Sequence, residues 1–107
     1  MDVDQSAESE LIVTSAMKAL SNSVQIALTE LYANGGTWGA AEAGITAVLG
    51  AADDCVGLPT AEGSWRFNSF TVDQYNTMFE AVKTGATAIS NATDVAPTVD
   101  IAVDYQN

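Results

Sequence analysis

Asp53 and Asp54, with Glu62 nearby, are the best carboxylate cluster in the chain. Hard cations such as Ca²⁺ and Mg²⁺ take several oxygen ligands. The spacing matches no EF-hand loop, so a solvated acidic loop is expected and no metal site. Asp100 and Asp104 share one face of an extended segment, but they then stand roughly 13 Å apart, too far for a catalytic dyad. Cys55 is the single thiol. A cysteine nucleophile needs a base beside it, and the chain has no histidine. A small, partly buried thiol is the simpler expectation. The missing histidine also removes the commonest general base, the commonest metal ligand and every histidine-based triad. Serines are plentiful, yet none sits in a Gly-x-Ser-x-Gly elbow. Gly35–Gly36 belongs to neither nucleotide-phosphate pattern. No catalytic residue, cofactor or small-molecule substrate follows from these residues, and an enzyme is not expected.

The composition narrows the remaining classes. At 107 residues, 48% of them apolar, the chain suits a single folded domain spanning residues 1–107. Fourteen acids face Lys18, Arg66 and Lys83, a net charge of −11. Nucleic-acid binding needs clustered Lys and Arg, so neither DNA nor RNA is an expected partner, and anionic membranes are equally disfavoured. The acidity fits a high-salt habitat, a basic partner, or solubility of a part made in many copies. One cysteine allows no internal disulfide and no cysteine-based zinc site. The start, MDVDQSAESE, is acidic where a secretion signal is basic and then apolar. No apolar run approaches the length of a membrane span. Assembly inside a cell, without export by the usual signal, is the expectation; the Asn91-Ala92-Thr93 sequon is then chance.

Periodicity supplies the elements that would position these residues. Val13, Met17, Leu20, Val24, Leu28 and Leu31 recur at steps of three and four, predicting a helix over 6–33. Asn34-Gly35-Gly36 would stop it. A second helix is expected over 37–49, with Thr37 as cap and Trp38, Ala41 and Ile45 on its apolar side. Gly39 and Gly44 weaken it by about 0.5–1 kcal/mol each. Residues 51–64 read as a loop. Trp65 and Phe67 alternate with Arg66 and Asn68, a short strand over 65–69. A third helix over 71–90 has the clearest start signal. Thr71 and Gln74 form a capping-box pattern, and Phe70 and Tyr75 can staple across it. The aromatic set Trp65, Phe67, Phe70, Tyr75 and Phe79 then reads as core packing.

The tail carries a different period. Val99, Ile101, Val103 and Tyr105 alternate with Asp100, Ala102, Asp104 and Gln106, predicting a strand over 98–105. It could pair with 65–69, add to a neighbouring subunit's sheet, or stay loosely ordered. The expected fold is therefore a small α+β domain, mainly α, with three helices and a short two-stranded β element. The surface expected to meet a partner is Val99, Ile101, Val103 and Tyr105, with Trp38 and the small residues of the second helix next.

Residues 64–90, SWRFNSFTVDQYNTMFEAVKTGATAIS, resemble segments of small tailed-phage structural proteins. In these a short aromatic strand leads into a Thr/Ser-capped helix of the type Gln-x-x-x-(Met/Phe)-Phe-x-Ala-Val. The resemblance covers about a quarter of the chain and implies a many-copy virion part assembled in the host cytoplasm. That part is a capsid decoration or cement protein, or a tail or fibre-attachment component. It carries no catalytic residues and works by contacts with virion subunits or further copies of itself. The alternative is an acidic inhibitor or charge mimic, which needs its acids gathered on one face to fill a basic groove.

Overall fold

The computed structural model describes residues 1–40, 42–96, 98–100 and 102. In chain order it contains strand β1 (Met17–Lys18), helix α1 (Leu20–Ala33), a short 3₁₀ turn (Ala51–Asp53), strand β2 (Val56–Gly57) and helix α2 (Val72–Lys83). Among the described residues this is a small α+β fold with two helices and one two-stranded antiparallel sheet. The expected three-helix, mainly α architecture is incorrect.

Helix α1 begins at Leu20 rather than Ser6, and the reason lies in the carbonyl oxygens upstream. In a helix, those of Ser6, Ser9 and Ile12 would accept from N–H groups four residues on. Here the Arg66 guanidinium donates to all three, at 3.1, 2.8 and 3.1 Å. The Arg66 backbone N–H takes the carbonyl of Val13 as well, at 3.1 Å. Short polar side chains compete from the other side. Asp4 Oδ1 accepts from Ser6 N–H at 2.9 Å, and Ser9 Oγ from Leu11 N–H at 3.2 Å. The segment consequently folds into turns over Arg66.

Among the described residues, the expected helix over 37–49 is reduced to a single turn. The N–H groups of Glu42 and Ala43 return to Gly39 O at 3.1 and 2.9 Å. Gly44 then takes φ +72, a left-handed conformation that ends the turn at no steric cost for glycine. Two glycines within thirteen residues leave too little helix preference for propagation.

The expected strand over 65–69 is also absent. Trp65 bends back so that its Nε1–H donates to Phe70 O at 2.7 Å. The observed sheet uses other residues: Met17 pairs with Gly57 and Lys18 with Val56. The ladder is extended by Ala19 N–H to Cys55 O at 2.8 Å, and Lys18 N–H takes Met1 O at 2.8 Å. For the expected strand over 98–105, Thr98, Val99 and Asp100 show no strand pairing. Ile101, Val103, Asp104 and Tyr105 lie outside the described residues.

Helix α2 starts as read. Thr71 Oγ1 accepts from Gln74 N–H at 3.2 Å, and Gln74 Oε1 accepts from Thr71 N–H at 2.9 Å. It ends at Lys83, earlier than residue 90, because Gly85 adopts φ +76 and its N–H closes on Val82 O at 3.1 Å. Around its first turns the aromatic residues gather. The Trp65 ring centroid lies 4.9, 5.6 and 5.4 Å from those of Phe67, Phe70 and Tyr75. Tyr75 and Phe79 stack at 5.4 Å. Tyr75 also reaches across to β2, where Leu58 N–H donates to its hydroxyl at 2.9 Å.

The core is small. Among described hydrophobic residues only Cys55 and Tyr75 are buried, each 5% exposed. The radius of gyration is 17.4 Å, against about 13 Å for a compact domain of this length. The chain exposes 8407 Å², where a compact monomer of its mass exposes about 5,700 Å².

Candidate interaction surface

Asp53 and Asp54 are engaged in holding the fold, and Glu62 is exposed. Asp53 Oδ2 accepts from Gly50 N–H at 2.8 Å. Asp54 pairs with Lys83 at 2.7 Å, and its backbone carbonyl accepts from Asn22 Nδ2 at 2.8 Å. The hydrogen bond from Lys83 to Asp54 raises the lysine's pKa from 10.5. Asp54 thus joins the 3₁₀ turn to α1 and α2, while Asp53 closes the turn itself. Among the described residues no three His, Cys, Asp or Glu side chains come together as a metal site would require. Cys55 is buried, and burial followed by the charges of Asp53 and Asp54 raises its thiol pKa.

The densest polar cluster was not anticipated. Ser64, Ser6 and Ser15 hydroxyls all converge on the Asp4 carboxylate. Ser15 Oγ also accepts from Gln5 N–H at 2.9 Å. Ser15 and Ser64 are buried. The Ser64 hydrogen bond, followed by the Ser6 backbone N–H, holds the Asp4 carboxyl below its ordinary 3.8. A carboxylate that lowers its own basicity in this way is a poor general base. The geometry fits a staple: Asp4 accepts from the Ser64 hydroxyl sixty residues away in sequence, which fixes the chain start beside Ser64. The only signal in the sequence is the short spacing Asp4-x-Ser6, an Asx-type turn pattern too common to single out.

Apolar surface is what the molecule displays. Trp38 is 48% exposed and Val99 45% exposed. Trp38 stands in a groove of about 460 Å³ whose walls come from Ala27 and Glu30 on α1 and from Glu42, Ala43, Gly44, Ile45 and Ala47. Trp38 is thus placed beside α1, while Val99 belongs to the tail. The remaining residues expected to meet a partner, Ile101, Val103 and Tyr105, lie outside the described residues.

Leu20, Val24 and Leu28, part of the apolar stripe from which the first helix was expected, are exposed, and among the described residues of α1 none is buried. Their periodicity is that of a helix in both cases, so pattern alone cannot separate a face turned inward from one turned outward. The charge distribution holds the discriminating signal: Glu30 is the only charged residue in Leu20–Ala33. A solvated outer face normally carries far more charge.

Compared with protein-family models, curated proteins and solved structures, the chain matches none.

Proposed function

We propose that this protein is a non-enzymatic assembly component that works through subunit–subunit contacts. The observation carrying this reading is the surplus of exposed surface. The chain shows 8407 Å², about 2,700 Å² beyond a compact monomer of its mass, and Leu20, Val24, Trp38, Ile45 and Val48 are among the apolar side chains left exposed. Large exposed apolar patches mark contact sites in proteins that remain in solution. Interfaces of obligate partners run from 2,000 Å² upward in total. The surplus is therefore of the size such assemblies cover.

The resemblance of residues 64–90 to tailed-phage structural proteins supports a virion setting, as capsid decoration, cement or tail component. In that setting the C-terminal segment with Val99, Ile101, Val103 and Tyr105 adds to a neighbouring sheet, and Trp38 serves as a second contact. The acidic-mimic alternative needs carboxylates free on one face. Asp2 on Lys18, Asp4 on three serines, Asp53 on Gly50 and Asp54 on Lys83 are already committed.

Light scattering of the intact chain, alone and with polylysine, tests the reading. An assembly component forms multimers without the polycation. A chain that stays monomeric and binds polylysine in a salt-sensitive way contradicts it. Deleting residues 98–107 tests the tail: assembly that survives the deletion unchanged removes the strand-addition mode.

A further inference from the structure

We infer that the Trp38 groove binds a small organic ammonium ion, recognised by the indole of Trp38 and the carboxylates of Glu42 and Glu30. The site goes beyond the assembly reading, and its failure would leave that reading in place.

The groove has the size of a ligand site. Its volume is about 460 Å³, within the roughly 300–1,000 Å³ of small-molecule pockets. Ala27 and Ile45 give it apolar walls, and Trp38 adds an aromatic one. Trp38 is 48% exposed, so its ring is open to an occupant.

Charge selects that occupant. Glu30 and Glu42 are the charged residues among those lining the groove. Among the described residues the ion pairs are Lys18 with Asp2 and Lys83 with Asp54 and Glu80. Neither groove carboxylate therefore has a counter-charge. Glu42 Oε2 is also buried with no hydrogen-bond partner among the described residues. It fills the space that a Cβ on residue 39 would need, which only Gly39 leaves free. A carboxylate oxygen withdrawn from water without a partner is costly, and a cation beside it offsets that cost.

The chain does not supply the cation. Lys18 and Lys83 are paired elsewhere, and the Arg66 guanidinium is spent on the carbonyls of Ser6, Ser9 and Ile12. A second copy brings the same three engaged side chains and a further −11. The cation must come from outside. The walls then define its kind. A hard metal ion takes six or more oxygens or keeps its waters, and indole and alanine offer none. An alkylated ammonium carries its charge under an apolar skin, which suits both the face of a tryptophan and the aliphatic walls.

The test is calorimetric titration of the full chain with choline at fixed ionic strength. Choline should bind with a Kd of about 1 mM or below. Its uncharged isostere 3,3-dimethylbutan-1-ol should bind at least about 10-fold more weakly, since it lacks the charge that the carboxylates meet. Trp38→Leu and Glu42→Gln should each weaken choline about 10-fold. Gly39→Ala, which displaces the Glu42 carboxylate without altering its charge, should weaken it too. Circular dichroism unchanged from wild type identifies the variants that keep their fold. Absence of choline binding to wild type overturns the inference, as does equal binding of the isostere. Binding of a trilysine peptide with none of choline assigns the groove to a basic protein and overturns it as well.

Discussion

Four side chains join distant parts of the chain, and each makes a separate prediction. Arg66 holds the carbonyls of Ser6, Ser9 and Ile12. Replacing it with Met should cost about 2–3 kcal/mol, since hydrogen bonds to a charged donor are lost and carbonyls are left without partners. Urea denaturation measures that loss, and hydrogen exchange should show residues 5–16 opening first. Tyr75→Phe keeps the ring stack but strips the acceptor from Leu58 N–H, which should cost about 1–2 kcal/mol in the same assay. Asp4 sets an acid limit. Its carboxyl is held below 3.8 by the Ser64 and Ser6 hydrogen bonds, so its contribution is complete above pH 3.8 and is lost as pH falls through the lowered value. Asp4→Asn should remove that step from a stability profile taken below pH 5, and an unchanged acid limb would contradict the staple. Lys83 has the opposite sign. Its pKa is raised above 10.5 by Asp54, so the link between α2 and the 3₁₀ turn is complete below pH 10.5 and lost as pH climbs beyond it.

At the level of elements, α2 was legible because its start depends on local groups alone. Thr71, Gln74 and the residues between them contain the whole capping box. Thr71→Ala should lower stability by about 1 kcal/mol. Gly85→Ala, at φ +76 with open space around the missing Cβ, should cost about 1 kcal/mol through backbone strain alone. Thermal unfolding of both variants checks the two ends of the helix. Elements whose fate depends on distant groups were not legible. Nothing within residues 6–19 announces that Arg66, more than fifty positions away, will take three of their carbonyls. Strands of two residues, Met17–Lys18 and Val56–Gly57, are too short for alternation to register. Gly39 and Gly44 were read as weak points in a helix, and they proved sufficient to reduce it to one turn. The aromatic set was legible for the same reason as α2, since Trp65 to Phe79 is local in sequence. The outward direction of the α1 stripe was not, because periodicity fixes a face and leaves its partner open.

For the whole molecule, thin core, open shape and heavy charge belong to one explanation. Eight to nine of every ten charged residues are acids, so approach of identical copies is opposed at long range, while apolar α1, Trp38 and Val99 favour contact at short range. Salt separates the two terms. Charge repulsion reaches about 10 Å at 0.1 M salt and about 3 Å at 1 M, whereas apolar contact is not screened. Self-association should therefore strengthen as salt rises, the reverse of what a complex with a basic partner would do. Sedimentation equilibrium of the intact chain across that salt range is the most direct measurement. The account predicts species at multiples of 11.1 kDa whose share grows with salt. A single 11.1 kDa species throughout would contradict it.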